Sequence, residues 1–353
     1  MKSKSWLFVK VCALFLVGLV ALAGCTDENA APTQKKREKP LIGVLLYRAD
    51  DTYISFVSEA LKRHFEAAGA DLLLYDANNK QFTQDEQLAL MLETEVDALA
   101  VNLVDVQSAS FVVDKIKKAD IPVVFFNREP SIDDLKAYER ARFVGTIPQD
   151  AGRMQGEIIS GLWKNHPEMD LNKDGRLQYI MIQANSDNPE SLARTEFSVK
   201  NARELGVAME QVGNTFMCGW DEERSYQSLK SVLPQIITSF ELVIANNDAM
   251  ALGAVRALQE LGYNTDISDT GTYSAKYIPV IGVDATPPAL LAIEAGTMAG
   301  TVKQDSESMG KTIVTLLMNA VHKKPLLEGI DLEWDGSGIA LRVPYSVVGE
   351  KEE

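Results

Sequence analysis

Residues 170–178, DLNKDGRLQ, have the spacing of a calcium-binding loop. Oxygen-bearing side chains occur at alternate positions, and a glycine stands at the sixth position, where such a loop must turn. The seventh position contributes only its backbone carbonyl, so an arginine there does not exclude a cation. The candidate ligands are Asp170, Asn172, Asp174, Arg176 and Gln178.

This loop lacks its usual final ligand. A complete loop ends in a bidentate glutamate at position twelve, and Met181 occupies that position here. The segment therefore predicts a calcium site only if a carboxylate from elsewhere completes the shell. The alternative is a polar turn between a helix and a strand, because Asp, Asn and Gly are also the commonest turn residues.

A second set of candidate residues stands at or just after the predicted strands. The set comprises Asp50, Asp51, Tyr53, Asn127, Asn246, Asn247 and Asp284. In open parallel sheets, ligands bind outside the carboxyl ends of the strands. Carboxylates and amides there can bond several hydroxyl groups, while an aromatic face covers the apolar side of a sugar ring.

These residues also have simpler explanations. An Asp or Asn after a strand is often only the N-cap of the next helix, and we predict that role for Asp248. Tyr53 and Trp220 could equally be core aromatics. The collective pattern is more informative than any single member.

The elements that must position these residues alternate along the chain. LIGVLLY, DLLLYDA, DALAVNL and IPVVFFN are predicted strands, and segments of helical period separate them. The same alternation begins again after RFVGT and continues to IPVIGVD. Strand followed by helix, repeated, is typical of parallel sheets covered on both faces. We therefore predict an α/β protein with two Rossmann-like, doubly wound lobes.

The amino-terminal segment, residues 1–24, has the layout of a secretory signal. A basic start precedes an apolar stretch and a small-residue exit, and that stretch is shorter than the roughly 20 residues of a membrane-spanning anchor. The segment LAGC, ending at Cys25, resembles a bacterial lipobox, in which the cysteine is lipidated. Residues 25–40, rich in charge, would then form a flexible tether. The predicted location is outside the cytoplasm, anchored to a membrane.

Composition and motifs exclude several other functions. The chain has 50 acidic and 35 basic residues and a net charge of -15, which argues against nucleic acid as a partner. Its three histidines are too far apart in sequence for zinc spacing. MGKT, residues 309–312, lacks the first glycine of a phosphate-binding loop. A carboxylate pair for glycoside hydrolysis stays open as an alternative.

The chain resembles the periplasmic galactose/glucose-binding proteins, which are the receptors of sugar ABC importers. The resemblance covers residues 41–348 and rests on LIGVLLYRADDTY, ALAVNLVD, IPVVFFNREPS, DLNKDGRLQY, ELVIANNDAMALGAV, IPVIGVDA, GTMAGTV and RVPY. It implies the type I periplasmic binding protein fold, in which a three-strand hinge joins the two lobes. One lobe would comprise residues 41–146 plus 304–341, and the other residues 147–303 plus 342–350. Residues 264–276 look like a surface insertion.

The resemblance also implies a set of sugar contacts. Asp51 and Asn127 would bond hydroxyls from the first lobe, and Arg194, Asn247 and Asp284 from the second. Tyr53 and Trp220 would cover the two faces of a pyranose ring. The remaining predicted contacts depart from the family pattern: they are Asn188 and Glu190, where the family has His and Asp, and Gln304, where it has Asn. These departures leave a hexose as the expected ligand but put its epimer in doubt.

For the loop at residues 170–178, the resemblance implies that Glu241, which opens the ELVIANN segment, supplies the missing bidentate carboxylate. Calcium would then be structural. The expected function is capture of D-galactose or D-glucose by a monomeric, non-catalytic receptor and delivery to an ABC permease. A sugar sensor acting through a chemoreceptor, with the same fold, and a glycoside hydrolase are the alternatives.

Overall fold

The computed structural model describes residues 37–265 and 276–349. Within these ranges the strands are β1 (Leu41–Leu46), β2 (Asp71–Asp76), β3 (Ala98–Val101), β4 (Val123–Phe126), β5 (Ala141–Gly145), β6 (Leu177–Gln183), β7 (Met209–Gln211), β8 (Phe216–Met217), β9 (Leu242–Ala245), β10 (Val280–Asp284), β11 (Gly300–Gln304), β12 (Ala340–Arg342) and β13 (Tyr345–Gly349). The helices are α1 (Thr52–Ala67), α2 (Gln81–Glu93), α3 (Ala109–Ala119), α4 (Ile132–Lys136), α5 (Pro148–Asn165), α6 (Pro189–Glu204), α7 (Glu222–Ile236), α8 (Asp248–Glu260), α9 (Pro287–Glu294) and α10 (Ser306–Val321). Strand and helix alternate through most of the chain, as predicted.

The strands form two sheets. The first has the order β12-β5-β4-β3-β1-β2, and its strands are all parallel. The second has the order β13-β11-β10-β9-β6-β7, with β8 also beside β6. Its strands are parallel except β13, which runs antiparallel to β11. Each sheet with its helices makes one lobe.

Helices cover both faces of the first sheet, so its central strands, such as β3 and β4, are buried on both sides. Val44 and Leu46 of β1 pack into one core cluster with residues of α1 and α10, and Leu45 packs into another with residues of α2 and α3. A side chain at Gly310 of α10 would lie 2.6 Å from Cβ of Ala60 on α1. The glycine of the rejected MGKT motif therefore allows two helices to pack closely.

The chain passes between the sheets three times. It leaves the first sheet after β5, returns to that lobe after β11, and crosses again between β12 and β13. The predicted boundaries assign Gln304 to the first lobe and Arg342 to the second. Strand pairing moves each of these two boundaries by one residue. Gln304 pairs with Tyr345 in the second sheet, and Arg342 pairs with Gly145 in the first.

Two predicted segments lie largely or wholly outside the described residues. The signal, Cys25 and most of the tether precede residue 37, and most of the insertion falls in residues 266–275. The ends of that insertion are joined by a hydrogen bond of 2.9 Å from the Asn264 N–H to the Lys276 carbonyl. No helix in residues 37–265 and 276–349 is long and apolar enough to cross a membrane.

Candidate functional site

A cavity of about 330 Å³ lies where the carboxyl ends of the strands of both sheets meet. All ten side chains predicted as sugar contacts line it: Asp51, Tyr53, Asn127, Asn188, Glu190, Arg194, Trp220, Asn247, Asp284 and Gln304. Three further lining residues were not predicted: Tyr47, Ile54 and Arg128. Residues far apart in sequence are thus brought into one polar chamber with aromatic walls.

The structure confirms the helix-cap interpretation for two of the strand-end residues, Asp51 and Asn247, and both also line the cavity. Asp51, Asn188 and Asn247 are the N-caps of α1, α6 and α8, and each side chain accepts one backbone N–H from its helix. In Asp51 only Oδ1 caps, accepting from Ile54 N–H at 3.0 Å. A turn from strand to helix therefore both stabilises the helix and points a polar side chain into the cavity.

Asp248 is not the N-cap that the sequence predicts. Asn247 occupies that position, and Asp248 is the first residue of α8, fully buried. Its Oδ1 accepts from the Thr301 hydroxyl at 2.6 Å, and its Oδ2 accepts from the Thr286 N–H at 2.8 Å. A Cβ at Gly282 would lie 2.2 Å from Oδ1, so the glycine leaves room for this carboxylate. Asp248 therefore links the carboxyl ends of β9 and β10 to the beginning of β11.

Arg194 organises the second-lobe side of the cavity. One terminal nitrogen donates to the Asn246 carbonyl at 2.8 Å, and the other donates to Gln304 Oε1 at 2.7 Å and to the Tyr345 hydroxyl at 3.3 Å. Asp284 lies 3.8 Å from the guanidinium. Arg194 and Gln304 are each 2% exposed, yet Arg194 Nε and Gln304 Nε2 have no hydrogen-bond partner. Unpaired buried donors are costly, so these two groups indicate a ligand with oxygen acceptors.

The first-lobe side is also fixed by side-chain bonds. Asp51 Oδ2 accepts from the Tyr47 hydroxyl, and the Arg128 guanidinium stacks 3.6 Å from the centre of the Tyr47 ring. Asn127 Oδ1 accepts from Asn102 Nδ2 at 3.2 Å. Asn102, fully buried at the end of β3, also donates to the Phe126 carbonyl. These bonds hold the cavity-facing carboxylate and amide in set orientations.

The two predicted aromatics come from separate cores. Tyr53 packs with the first-lobe core and is 5% exposed, and Trp220 packs with the second-lobe core and is 9% exposed. Both line the cavity, so each serves the core and the cavity wall. Trp220, Asn127 and Asp284 have φ values of 65°, 59° and 125°. Backbone conformations that side chains rarely adopt often cluster at ligand sites, where the surrounding fold sustains them.

Burial dominates the electrostatics of the cavity. It raises the pKa of Asp284 well above the usual value, although Arg194 opposes the shift, and it also raises the pKa of half-buried Glu190. For Arg194, burial lowers the pKa, but Tyr345, Asp284 and Glu190 outweigh that effect and raise it. The guanidinium therefore stays charged, and the nearby carboxyls hold their protons to higher pH than exposed ones.

The structure places Glu241 beside the loop at residues 170–178. Its Oε1 accepts from the Leu171 N–H at 2.8 Å and its Oε2 from the Gln178 N–H at 3.1 Å, so the carboxylate spans both ends of the loop. Burial raises the pKa of Glu241, and the backbone N–H groups oppose the shift. Met181 is buried in the core and cannot serve as a ligand.

The loop's oxygens face inward. Asp170 accepts from the N–H groups of Asp174 and Gly175, Asn172 Oδ1 also accepts from the Asp174 N–H, and Asp174 Oδ2 accepts from Gln178 Nε2 at 2.9 Å. Over residues 37–265 and 276–349, no group of three His, Cys, Asp or Glu side chains is arranged to hold a metal ion. A cation here would depend on amide and backbone oxygens as well as carboxylates, which are hard ligands that suit calcium.

Comparison with known proteins identifies the family. Residues 42–325 match the model of the periplasmic binding protein domain. The chain belongs to the periplasmic binding protein family. It is 35% identical, over 86% of its own length and 88% of the relative, to the D-galactose/methyl-galactoside binding periplasmic protein MglB of Haemophilus influenzae. It is 28% identical to a putative rhizopine-binding protein of Rhizobium meliloti, over 84% of this chain and 87% of that one.

Solved structures of periplasmic binding proteins share the fold. An ABC transporter solute binding protein from Bacillus halodurans with bound myo-inositol superposes with a TM-score of 0.70 at 26% identity, over 88% of this chain and 94% of that one. One from Actinobacillus succinogenes with bound D-allose has a TM-score of 0.72 at 17% identity, over 88% and 98%. The predicted fold class is confirmed. As a periplasmic binding protein, the chain is a substrate-binding receptor and not an enzyme.

Proposed function

We propose that this chain captures a hexopyranose, D-galactose or D-glucose, between its lobes and delivers it to an ABC importer. One observation carries the proposal: buried Arg194 and Gln304 each have an unpaired N–H donor, and both line a cavity that three aromatic residues also line. The relative with 35% identity is a galactose-binding protein by name, which supports the choice of sugar.

The chemistry of the lining suits a pyranose. Asp51 and Asp284 would accept hydrogen bonds from hydroxyl groups, and Asn127 and Asn247 would both donate and accept. Arg194 would donate through Nε to a ring or hydroxyl oxygen. Tyr53 and Trp220, which also line the cavity, would cover the apolar faces of the ring. Together these groups match the alternating polar rim and apolar faces of a hexose.

Lining groups come from both lobes, so neither lobe alone forms the complete site. We infer that an open form binds sugar first and that closure about the three crossovers brings the second set of groups onto it. The closed form would then dock on the permease. Sugar-dependent recovery of a permease in a pull-down from membranes supports delivery, whereas recovery of a chemoreceptor instead would assign a sensing role.

Three lining residues govern the choice among sugars. Asn188 and Glu190 sit at the start of α6, and Gln304 bonds Arg194 at the crossover after β11. Related proteins have been solved with myo-inositol and D-allose bound, so the fold accepts several polyols. A site built from hydrogen bonds discriminates strongly against a ligand that leaves one of its groups unpaired.

Isothermal titration calorimetry of the mature chain tests the proposal. D-galactose, D-glucose, D-allose, D-ribose, D-xylose and myo-inositol would be titrated in turn. We expect one sugar per chain, with galactose or glucose tightest. Arg194→Gln should weaken that binding by a hundredfold or more, because it removes a buried charged donor and leaves its neighbours unpaired (about 3 kcal/mol). Arg203→Gln, at the exposed end of the same helix, is the matched control.

The outcomes of this titration test the choice of hexose separately from the sugar-binding role. Tighter binding of ribose, inositol or another polyol would overturn the hexose assignment but keep the receptor role. Absence of heat with every sugar at millimolar concentration would overturn the sugar-binding role itself. Equal sugar affinity of the Arg194→Gln and Arg203→Gln proteins would show that the sugar does not bind in this cavity.

We also propose that calcium is held at the loop at residues 170–178. Asp170, Asn172, Asp174 and Gln178 would supply side-chain oxygens, Arg176 its carbonyl, and Glu241 a bidentate carboxylate. The position of Glu241 across both ends of the loop supports this set. The Arg176 side chain is exposed and pairs with Glu210 at 3.5 Å, so its charge points away from the loop interior. Calcium would stiffen the loop between α5 and β6.

For location, we propose a lipoprotein anchored by Cys25 on the outer side of the cytoplasmic membrane. The support is the sequence: a signal layout, the LAGC segment, and a charged stretch up to residue 40. Diacylation would hold the receptor near its permease, since one acyl chain alone gives only weak membrane binding.

A further inference from the structure

A second pocket, of about 640 Å³, opens on the first lobe far from the sugar cavity. It lies at the amino ends of β4 and β5 and the last turns of α10, whereas the sugar cavity lies at the carboxyl ends of the strands. Its floor is apolar and consists of Val123, Val124, Leu316, Leu317 and Leu326. An apolar floor within an open pocket is the usual lining of a small-molecule site.

The rim of this pocket has a charge opposite to that of the protein. Four cations, Arg140, Arg142, Lys323 and Lys324, and one carboxylate, Glu139, line it. The whole chain carries a net charge of -15. Arg140 is paired with Asp120 at 3.2 Å and Lys324 with Glu328 at 3.0 Å. Among the described residues, Arg142 and Lys323 are the rim cations with no carboxylate within 4 Å, although the charge of Glu139 acts on Arg142.

Arg142 is the best-placed cation for a ligand. Its Nη1 donates to the carbonyls of Glu139 and Ala141, both at 2.7 Å, and its guanidinium lies 5.5 Å from the centre of the Trp334 ring. Its Nε is buried and has no hydrogen-bond partner. Burial lowers the pKa of this arginine, since the charge is partly removed from water. A desolvated cation with an unused donor is stabilised by an anion.

We propose that this pocket binds a small amphipathic carboxylate, with its alkyl chain on the apolar floor and its carboxylate on Arg142 and Lys323. The class follows from two independent features, the apolar floor and the cationic rim. A purely polar anion would leave the floor in water, and a neutral alkyl compound would leave the cationic rim without a counter-ion.

Calorimetry with octanoate on the mature, sugar-free chain tests this site, with acetate and 1-octanol as comparison ligands. We expect one octanoate per chain, and binding at least tenfold weaker for acetate and for 1-octanol. Equal affinity for 1-octanol would overturn the role of the cations. Absence of octanoate heat below its micelle concentration would overturn the site.

Two variants locate the ligand. Ala320→Trp, on the pocket-facing side of α10, should fill the floor and reduce octanoate affinity by at least tenfold. Arg142→Gln should reduce it by a similar factor. Arg63→Gln, exposed on α1 of the same lobe and paired with Glu307, is the charge-matched control and should bind as the parent does. Cooperative thermal unfolding, measured without sugar, shows whether each variant is folded. Unchanged octanoate binding in a folded Ala320→Trp protein would refute the assignment.

Discussion

Replacing Asp248 with asparagine should make the stability of the chain less dependent on pH. Burial raises the pKa of Asp248 from its ordinary value of 3.8 to about 7, although hydrogen bonds from Thr301 and Thr286 oppose the shift. The folded chain therefore holds this proton more tightly than the unfolded chain does. The stabilisation is complete below about pH 4 and is lost as the pH rises through about 7.

The size of the effect follows from the two pKa values. One pKa unit corresponds to about 1.4 kcal/mol, so loss of the Asp248 proton between pH 5 and pH 8 should lower the free energy of unfolding of the parent by about 3 kcal/mol. Asparagine mimics the protonated acid, because its oxygen can accept from the Thr286 N–H while its amide donates to the Thr301 hydroxyl. The variant should thus match the parent only below about pH 4, and exceed its stability by about 2 kcal/mol at pH 5 and by about 4 kcal/mol at pH 8.

Urea unfolding of both proteins at pH 5, 6, 7 and 8, with calcium fixed and no sugar, measures the difference directly. Asp114→Asn removes one negative charge from an exposed position on α3 and serves as the matched control. A constant difference between Asp248→Asn and the parent at all four pH values would refute the reasoning, since it would mean that the buried carboxylate is ionised throughout.

Three further outcomes test the proposals. Glu241→Gln should weaken calcium binding at least tenfold, and it should lower the thermal midpoint in calcium but not in chelator. Calorimetry and thermal scans measure both effects. Unchanged calcium affinity would refute the bidentate role of Glu241. Galactose affinity should fall as the pH is lowered from 8 to 5, because Asp284 and Glu190 have raised pKa values and lose their negative charge on protonation. Calorimetric titrations across that pH range measure the effect. An affinity that does not change with pH would contradict the prediction. Cys25→Ala should move the protein from membrane to soluble fractions on cell fractionation, and retention on the membrane would count against the lipid anchor.

The alternation of strand and helix can be predicted from the sequence because parallel sheets bury their strands on both faces. Runs such as VVFF are apolar throughout, which distinguishes them from the half-exposed helices around them. The crossovers were placed by family resemblance, because local pattern does not show which sheet a strand joins. Gln304 and Arg342 illustrate this. Gln304 belongs to the second sheet because it pairs with Tyr345, and Arg342 belongs to the first because it pairs with Gly145. Both partners are distant in sequence.

The candidate site was predictable where strand ends carry polar side chains, and less so elsewhere. Tyr47 follows an apolar strand and has the character of a core residue, so nothing in the sequence indicates its bond to Asp51. Asn and Asp are equally good caps, so the pair Asn247 and Asp248 offers no local basis for choosing between them. The partners of Asp248, Thr286 and Thr301, decide its role, and they lie 38 and 53 residues away.

The three crossovers also determine when this chain can fold. Both sheets receive their last strands from residues 340–349, since β12 joins the first and β13 the second. Neither lobe can therefore be completed until residues 340–349 have been made, and both depend on contacts of long sequence separation, which form slowly. A chain exported through a narrow channel must stay unfolded until it emerges. Late completion of both lobes gives such a chain a long period without a stable fold, which makes its topology compatible with secretion.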